Sequence, residues 1–406
     1  MSASKNGNGL TLAESEPRPD LLAIFNEQFP RGRGAIVMAR APGRVNLIGE
    51  HTDYNEGFVL PVAVDREVYV LGQRRPDDRV VVHSANFNRR ASFELDALGL
   101  ATRQSWINYP QGVADALQRA GYHLPGMNLV LWGNVPLGAG MSSSAAVEIA
   151  CMLVFERLAG IELAPRDDAL LAQRAENGFV GVQTGIMDQF ISRLGVAGHA
   201  LLIDCRSLDY RAVPMALPDM VLGVVHSGVP RGLASSEYND RRRECAEGVE
   251  LLKQHLPDIR ALRDVSPAEF ALVEQRLPDT IRHRCRHVIT EDARVGEAVE
   301  ALGVGDTIRL GELFAASQAS MRDDYAITVP EIDTLVELAR THGAVAARMT
   351  GGGFGGCTVN LVPEGDWERF ERGVMADYPA QANNHQPTIY RCRAVDGAAL
   401  LPVGGR

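Results

Sequence analysis

The sequence predicts an α+β protein whose strands and helices are segregated along the chain. Three observations carry that reading. Strand-like runs crowd the first half, helical spacing dominates from about residue 234, and short strand candidates return late. Runs of strands followed by runs of helices build segregated layers, not a doubly wound parallel sheet.

The elements follow in order. "AIVMARAPGRVNLIG" reads as a strand with a Pro-Gly interruption, then more strand. "FVLPVAVDREVYVLGQRR" reads as extended, with alternation in its second half, and "RVVVHSANF" and "ASFELDAL" as further strands. "WINYPQGVADALQRAG" turns helical and stops at Gly121, before a strand in "GMNLVLWGNVP". "MSSSAAVEIACMLVFERLAG" is a strong helix with a Ser cluster at its start, and "PRDDALLAQRAENGFVG" a second one. "HALLIDCRSLDYRAVPM" and "MVLGVVHSGV" return to strand. Four helical stretches then begin at "SSEYNDRRRECAEGVELLKQHL", "SPAEFALVEQRL", "HRCRHVITEDARVGEAVEAL" and "PEIDTLVELARTHG". "CTVNLVP" and "PTIYRCRAV" are the late strands. The boundary is expected near residue 210, giving segments 19–210 and 211–406 behind a polar tail, 1–18, expected to be disordered.

Composition narrows the function. The 406 residues are 46% apolar and 23% charged, ordinary globular values with enough chain for a sizeable core. A net charge of −10 argues against a nucleic-acid partner, which needs a basic face. Six scattered cysteines without a C-x-x-C pair predict reduced cytosolic thiols, not a disulfide or zinc framework. The N-terminus has no apolar h-region and no apolar run reaches membrane length, so neither a signal peptide nor a membrane partner is expected.

Four stretches carry candidate chemistry. "GRVNLIGEHTDYNEG" packs Arg44, Glu50, His51 and Asp53 between two strand-like runs. Glu50, His51 and Asp53 fall within four residues, as a sharp loop presenting fixed donors and acceptors to one ligand requires. "GNVPLGAGMSSSAAVEIA" ends a strand at Pro136, allows tight backbone at Gly138 and Gly140, and opens a helix with Ser142, Ser143 and Ser144. Exposed N–H groups and the helix dipole would meet there, a phosphate site. The alternative is an ordinary Ser-capped helix after a Gly turn. The spacing fits neither a P-loop nor a dinucleotide fingerprint. "AENGFVGVQTGIMDQF" places Glu176 at a helix end and Asp188 in a Gly-flanked turn, where an Asp is also an ordinary turn former. "ARMTGGGFGGCTVNLV" holds five glycines in six positions, Gly351 to Gly356, which suggests close backbone approach to a phosphate or to another backbone.

Together, "GRVNLIGEHTDY", "PLGAGMSSSAA", "GIMDQF", "GLASSEYNDRRRECAE" and "MTGGGFGGCTV" resemble the GHMP small-molecule kinases, and within them the galactokinases. The resemblance runs from about residue 21 to the C-terminus. It implies a two-lobed α+β fold with the active site in the cleft between lobes. It implies transfer of the γ-phosphoryl group of ATP to the anomeric hydroxyl of galactose, with Mg2+ as cofactor. Carried over, Glu50, His51 and Asp53 hold sugar hydroxyls, and Gly185 (through its backbone), Asp188 and Tyr238 complete the pocket. Arg44 and Asp188 flank the attacking hydroxyl. The segment Pro136, Leu137, Gly138, Ala139, Gly140, Met141, Ser142, Ser143, Ser144 and Ala145 binds ATP, and Ser143 and Glu176 serve the metal. A kinase of N-acetylgalactosamine or arabinose, and a non-catalytic galactose/ATP sensor, are the alternatives. A cytoplasmic monomer or weak homo-oligomer is expected. Two positions depart from the family pattern: Gln318, where His is expected, and Gly352, where Ala is common.

Overall fold

The computed structural model describes residues 18–30, 34–229 and 234–403, so the expected disorder of 1–18 lies almost wholly outside the described residues. The first half contains α1 (Leu21–Gln28), β1 (Val37–Asn46), β2 (Phe58–Val59), β3 (Pro61–Arg74), β4 (Arg79–Ser84), β5 (Arg89–Glu94), α2 (Asn108–Arg119), β6 (Met127–Gly133), α3 (Ser143–Ala159), α4 (Pro165–Arg174), α5 (Met187–Leu194), β7 (His199–Asp204) and β8 (Tyr210–Pro214). The second half contains β9 (Met220–His226), α6 (Ala234–Leu252), α7 (Pro267–Val273), α8 (Asp279–Val304), α9 (Thr307–Asp323), α10 (Pro330–Thr341), β10 (Ala346–Thr350), β11 (Cys357–Pro363), α11 (Trp367–Gln381), β12 (Thr388–Cys392) and β13 (Ala399–Leu401). No helix among the described residues is long and apolar enough to cross a membrane.

Three sheets result, in the orders β13-β1-β3-β6-β4-β5, β10-β11-β9-β12 and β2-β7-β8. Every pairing is antiparallel except β4 with β6, as segregated α+β architecture requires. The Pro-Gly interruption of β1 is a bulge: register shifts between Pro42 and Gly43 while the strand continues. Gly43 is needed there. A Cβ would meet Met141 O at 2.6 Å, because the Ser-rich loop docks on this point and accepts from Arg44 N–H at 3.1 Å.

The chain path departs from the expected segments. β9 opens the second sheet after β8, close to the expected boundary, but β13 returns to pair with β1, so the first sheet takes strands from both sides of residue 210. The main apolar core does likewise: Val45, Leu47 and Ile149 share one cluster with Val295, Leu302, Phe314 and Val359. Asp188 also departs from expectation. It occupies the first turn of α5 instead of a turn between elements. Glu176 lies just past α4, in a π-helical turn at Ala175–Val180, a distortion common at functional sites.

One buried pair in the first half gives a pH prediction. Glu156 of α3 is 8% exposed, and Asp168 of α4 is fully buried and bonded by Arg193 at 2.6 Å. Burial, then the adjacent Asp168 carboxyl, pushes Glu156 up to about 9 from 4.5. Folding therefore favours the protonated form. That contribution is complete below about pH 4.5 and is lost as pH rises toward 9. Glu156→Gln needs no proton. We expect it to raise stability at pH 8 by about 1–3 kcal/mol and to change nothing at pH 4.5, as read by denaturant melts at both pH values.

Candidate active site

Both halves of the chain line one cleft of about 390 Å³. The first half supplies Arg44, Glu50, His51, Asp53, Tyr109, the 138–144 loop, Glu176, Gly185 and Asp188. The second supplies Tyr238, Gly351 and Gly352. The cleft thus gathers six separated stretches of sequence.

At its centre Arg44 grips Asp188 with both arms of its guanidinium, Nε to Oδ1 at 2.8 Å and Nη2 to Oδ2 at 2.7 Å. Such a fork is stronger and more directional than a single charged hydrogen bond. Arg44 Nη1 also donates to Gly140 O, and Ser142 Oγ donates to Asp188 Oδ2. Ser142 therefore does not cap α3. It sits at φ 56 without a side-chain cap bond, its hydroxyl committed to Asp188. The simple Ser-capped helix is excluded by this geometry. A non-glycine residue at positive φ costs free energy that the surroundings must offset, and such strain gathers at active sites.

The sugar-loop candidates have distinct surroundings. Glu50 is buried, with Oε1 accepting from Gly351 N–H at 2.9 Å and Oε2 from Asn46 Nδ2 at 2.9 Å, and it pairs with Arg348 at 2.6 Å. Burial raises its pKa although Arg348 opposes the shift. His51, at φ 62, shares a 2.6 Å hydrogen bond between Nδ1 and Tyr54 OH, which continues to Tyr325 OH at 2.9 Å. Its ring lies 5.1 Å from that of Tyr238. Asp53 is pushed up to about 6, first by burial and then by the Asp188 charge. Gly185 backs directly onto it: a Cβ there would fall 1.7 Å from Asp53 Oδ2.

Glu176 is buried and faces the cleft, and among the described residues no Lys or Arg pairs with it. Thr184 Oγ1 and Gln189 Nε2 donate to its Oε2 at 3.0 and 2.7 Å. Burial, then Asp188, raises its pKa, while a Ser144 hydrogen bond opposes the shift. A buried carboxylate without a cation, beside serine hydroxyls, is a donor set suited to a hard divalent ion. Ser142 is bonded to Asp188 and Ser144 to Glu176, whereas Ser143 faces the cleft bonded to neither. Of the expected ATP segment, Gly138, Gly140 and Ser142 to Ser144 line the cleft. Ala139, Met141 and Ala145 are buried beneath it, and Leu137 is 67% exposed, outside it; Pro136 is not in the lining either.

The glycine run divides by position. Gly353 has φ +82, and a Cβ would meet Ile327 O at 2.6 Å, whereas at Gly352 the nearest atom is the Tyr238 ring at 3.8 Å. We expect Gly352→Ala to leave the thermal midpoint unchanged and Gly353→Ala to cost about 2 kcal/mol or more, measured by melts of the two variants. The departure from family pattern at Gly352 is thus sterically neutral. Gln318 is also accounted for. Its Oε1 accepts from Met349 N–H at 2.8 Å and its Nε2 donates to Asp333 at 2.7 Å, tying α9 to β10 and α10. A neutral imidazole has one donor and one acceptor as well.

Sequence reasoning missed Tyr109, Arg348 and Glu291. Arg348 is fully buried on β10. It donates to Leu47 O at 2.7 Å and pairs with Glu50 and, at 3.5 Å, with Glu291 of α8. Glu291 Oε1 in turn accepts from Gly49 N–H at 3.0 Å. Arg294, Arg348 and other donors hold Glu291 well below the usual carboxylate range despite its burial. Nothing in the sequence marks these single residues.

Residues 23–74 match the model of the galactokinase galactose-binding signature, and residues 108–196 and 298–386 match the N-terminal and C-terminal domain models of the GHMP kinases. A galactokinase of Roseiflexus sp. (strain RS-1) is 48% identical over 91% of this chain and 94% of its own. One from Chloroflexus aurantiacus is 46% identical over 94% and 97%. The crystal structure of Lactococcus lactis galactokinase complexed with galactose superposes with a TM-score of 0.89 at 34% identity, covering 94% of this chain and all of that one. Methanococcus jannaschii mevalonate kinase shares the fold alone, with a TM-score of 0.64 at 17% identity over 90% of this chain and all of its own.

Proposed function

We propose how the cleft works from one premise: the chain belongs to the galactokinase family of the GHMP kinases and is an ATP-dependent sugar kinase. It transfers the γ-phosphoryl group of ATP to the anomeric hydroxyl of D-galactose, giving galactose 1-phosphate and ADP. The observation that carries the mechanism is the Arg44–Asp188 fork, at the meeting point of the sugar loop and the Ser-rich loop.

Galactose lies against Glu50, His51, Asp53, Gly185 and Tyr238. A hexose is a rigid array of hydroxyls, and buried acceptors matched to each of them reject an analogue lacking one. Asp188 accepts a hydrogen bond from the anomeric hydroxyl and aims its oxygen at the phosphorus. Both Asp188 oxygens are already engaged by Arg44, and one also by Ser142, so the carboxylate is held in a fixed direction. It therefore orients the nucleophile, and the proton leaves late, through the transferred phosphoryl group. A loose transition state tolerates this, since positioning and charge neutralisation supply most of the catalysis. Arg44 offsets negative charge beside the attacking oxygen.

The phosphates lie on the 138–144 backbone at the start of α3. Ser143 and Glu176 would hold Mg2+, which neutralises phosphate charge when bound. The hollow lined by Phe87, Arg103 and Trp106, one helical turn from Tyr109, suits the adenine base. Two of its rings lie 6.4 Å apart, and Trp106 Nε1 has no partner among the described residues.

The test is ADP release with MgATP against galactose, glucose, 2-deoxygalactose, N-acetylgalactosamine and arabinose. Galactose-dependent turnover with glucose inert is expected. Galactose binding without turnover on any sugar would sink the kinase reading in favour of a sensor. Faster turnover with N-acetylgalactosamine or arabinose would reassign the substrate.

A further inference from the structure

Beneath the start of α3 lies a carboxyl–amide pair that the mechanism above does not use. Glu148 of α3 and Gln189, the neighbour of Asp188 on α5, are both fully buried. The Gln189 Nε2 amide donates to Glu148 Oε2 at 3.1 Å and to Glu176 Oε2 at 2.7 Å. One NH2 group thus bridges carboxyls from two separate elements. On the same two side chains, Glu148 Oε1 and Gln189 Oε1 have no partner among the described residues. Burying polar groups with part of their capacity unmet costs free energy that an apolar pair of the same volume would avoid. Packing alone therefore does not account for them.

The geometry at Glu176 does. Gln189 Nε2 and Thr184 Oγ1 converge on one oxygen, Oε2, and leave Oε1 the oxygen used by neither. With two donors on Oε2 and Ser144 also bonded to the group, the carboxylate is held in a fixed direction. We propose that Gln189, braced by Glu148, is a positioning residue that fixes Glu176 for the metal–nucleotide complex. Groups that bond to ligating carboxylates in this way hold their orientation, and removing one costs about 10–100-fold in metal affinity. Burial, then the nearby Glu176 charge, pushes the Glu148 carboxyl far up. The proposal rests on the reading of Glu176 as a Mg2+ ligand.

The experiment measures Mn2+ binding to the enzyme–ADP complex by electron paramagnetic resonance, and galactose binding by calorimetry. The proteins are wild type, E176Q, Q189M, E148M and E148Q. Q189M and E148M are expected to weaken Mn2+ binding about tenfold or more while galactose affinity stays within about twofold. E148Q keeps a hydrogen-bonding side chain and is expected to stay within about threefold of wild type. In turnover, the Q189M defect should shrink as Mg2+ is raised. E176Q separates the two readings. If E176Q leaves Mn2+ binding unchanged, the ligand assignment fails and the positioning role fails with it. If E176Q loses Mn2+ and Q189M does not, only the positioning role is overturned. If Q189M loses galactose and Mn2+ binding alike, or is not folded while E148Q is, the pair is structural packing and the proposal is wrong.

Discussion

Asp188→Asn lowers kcat by about 10²–10⁴-fold and leaves the galactose dissociation constant within about tenfold. The wild-type carboxylate accepts two bonds from Arg44 and one from Ser142. An amide in its place offers Arg44 a single acceptor oxygen and turns an NH2 group toward a cation. Arg44 then loses half its fork, and the attacking hydroxyl loses the anion that aims it. Binding depends more on Glu50, His51, Asp53 and Tyr238, which the substitution leaves in place. The effect should therefore fall on kcat, because the lost interaction matters most in the transition state. Steady-state kinetics with galactose calorimetry reads both quantities, and a kcat within tenfold of wild type would remove Asp188 from the mechanism. Arg44→Lys should be nearly as damaging, since an ammonium keeps the charge but cannot reproduce the fork.

Arg348→Met should destabilise the protein by about 3–5 kcal/mol and weaken galactose binding by at least about tenfold. Arg348 is a fully buried cation, joined to Glu50, Glu291 and Leu47 O. Removing it leaves Glu50 buried without a cation, and a carboxylate in that position is strongly disfavoured unless it takes up a proton. Glu291 keeps its 2.8 Å pair with Arg294, so the damage concentrates at Glu50 and the 47–51 loop. Stability and sugar recognition should thus fall together, unlike in Asp188→Asn. Denaturant melts and galactose calorimetry on the same preparation check this. Unchanged galactose affinity in a destabilised variant would show that Arg348 supports the fold but not the pocket.

Much of the site was legible in the sequence because its chemistry is locally dense. A loop that reads a sugar must place Glu50, His51 and Asp53 within a few residues, and a loop that cradles phosphate must combine glycines with a helix start. The resemblance to galactokinases rests on those dense stretches. The supporting residues were not legible for the opposite reason. Glu148 sits inside an apolar helical pattern, and Arg348 inside a strand beside a glycine run that draws the eye. Their partners lie 41 residues away at Gln189 and, in the case of Glu50, almost 300 residues away. Some elements were hidden too. The buried face of α9 carries Ser317, Gln318 and Ser320, which breaks the apolar stripe that marks a helix. β13 is three residues long, too short for alternation to register. α1, α11 and β10 were missed as well.

By itself the sequence determined the segregated α+β class, the four reactive stretches and the family they resemble, because period and local composition encode these. The tertiary structure alone decided what each group does. It moved Asp188 from a turn into the first turn of α5, where Arg44 and Ser142 fix its direction. It bonded Ser142 to Asp188 and Ser144 to Glu176, leaving Ser143 bonded to neither. It also brought β13 back beside β1 and set Arg348 under the sugar loop. The physical reason is that hydrogen bonds and ion pairs act over about 3 Å in space, whatever the separation along the chain.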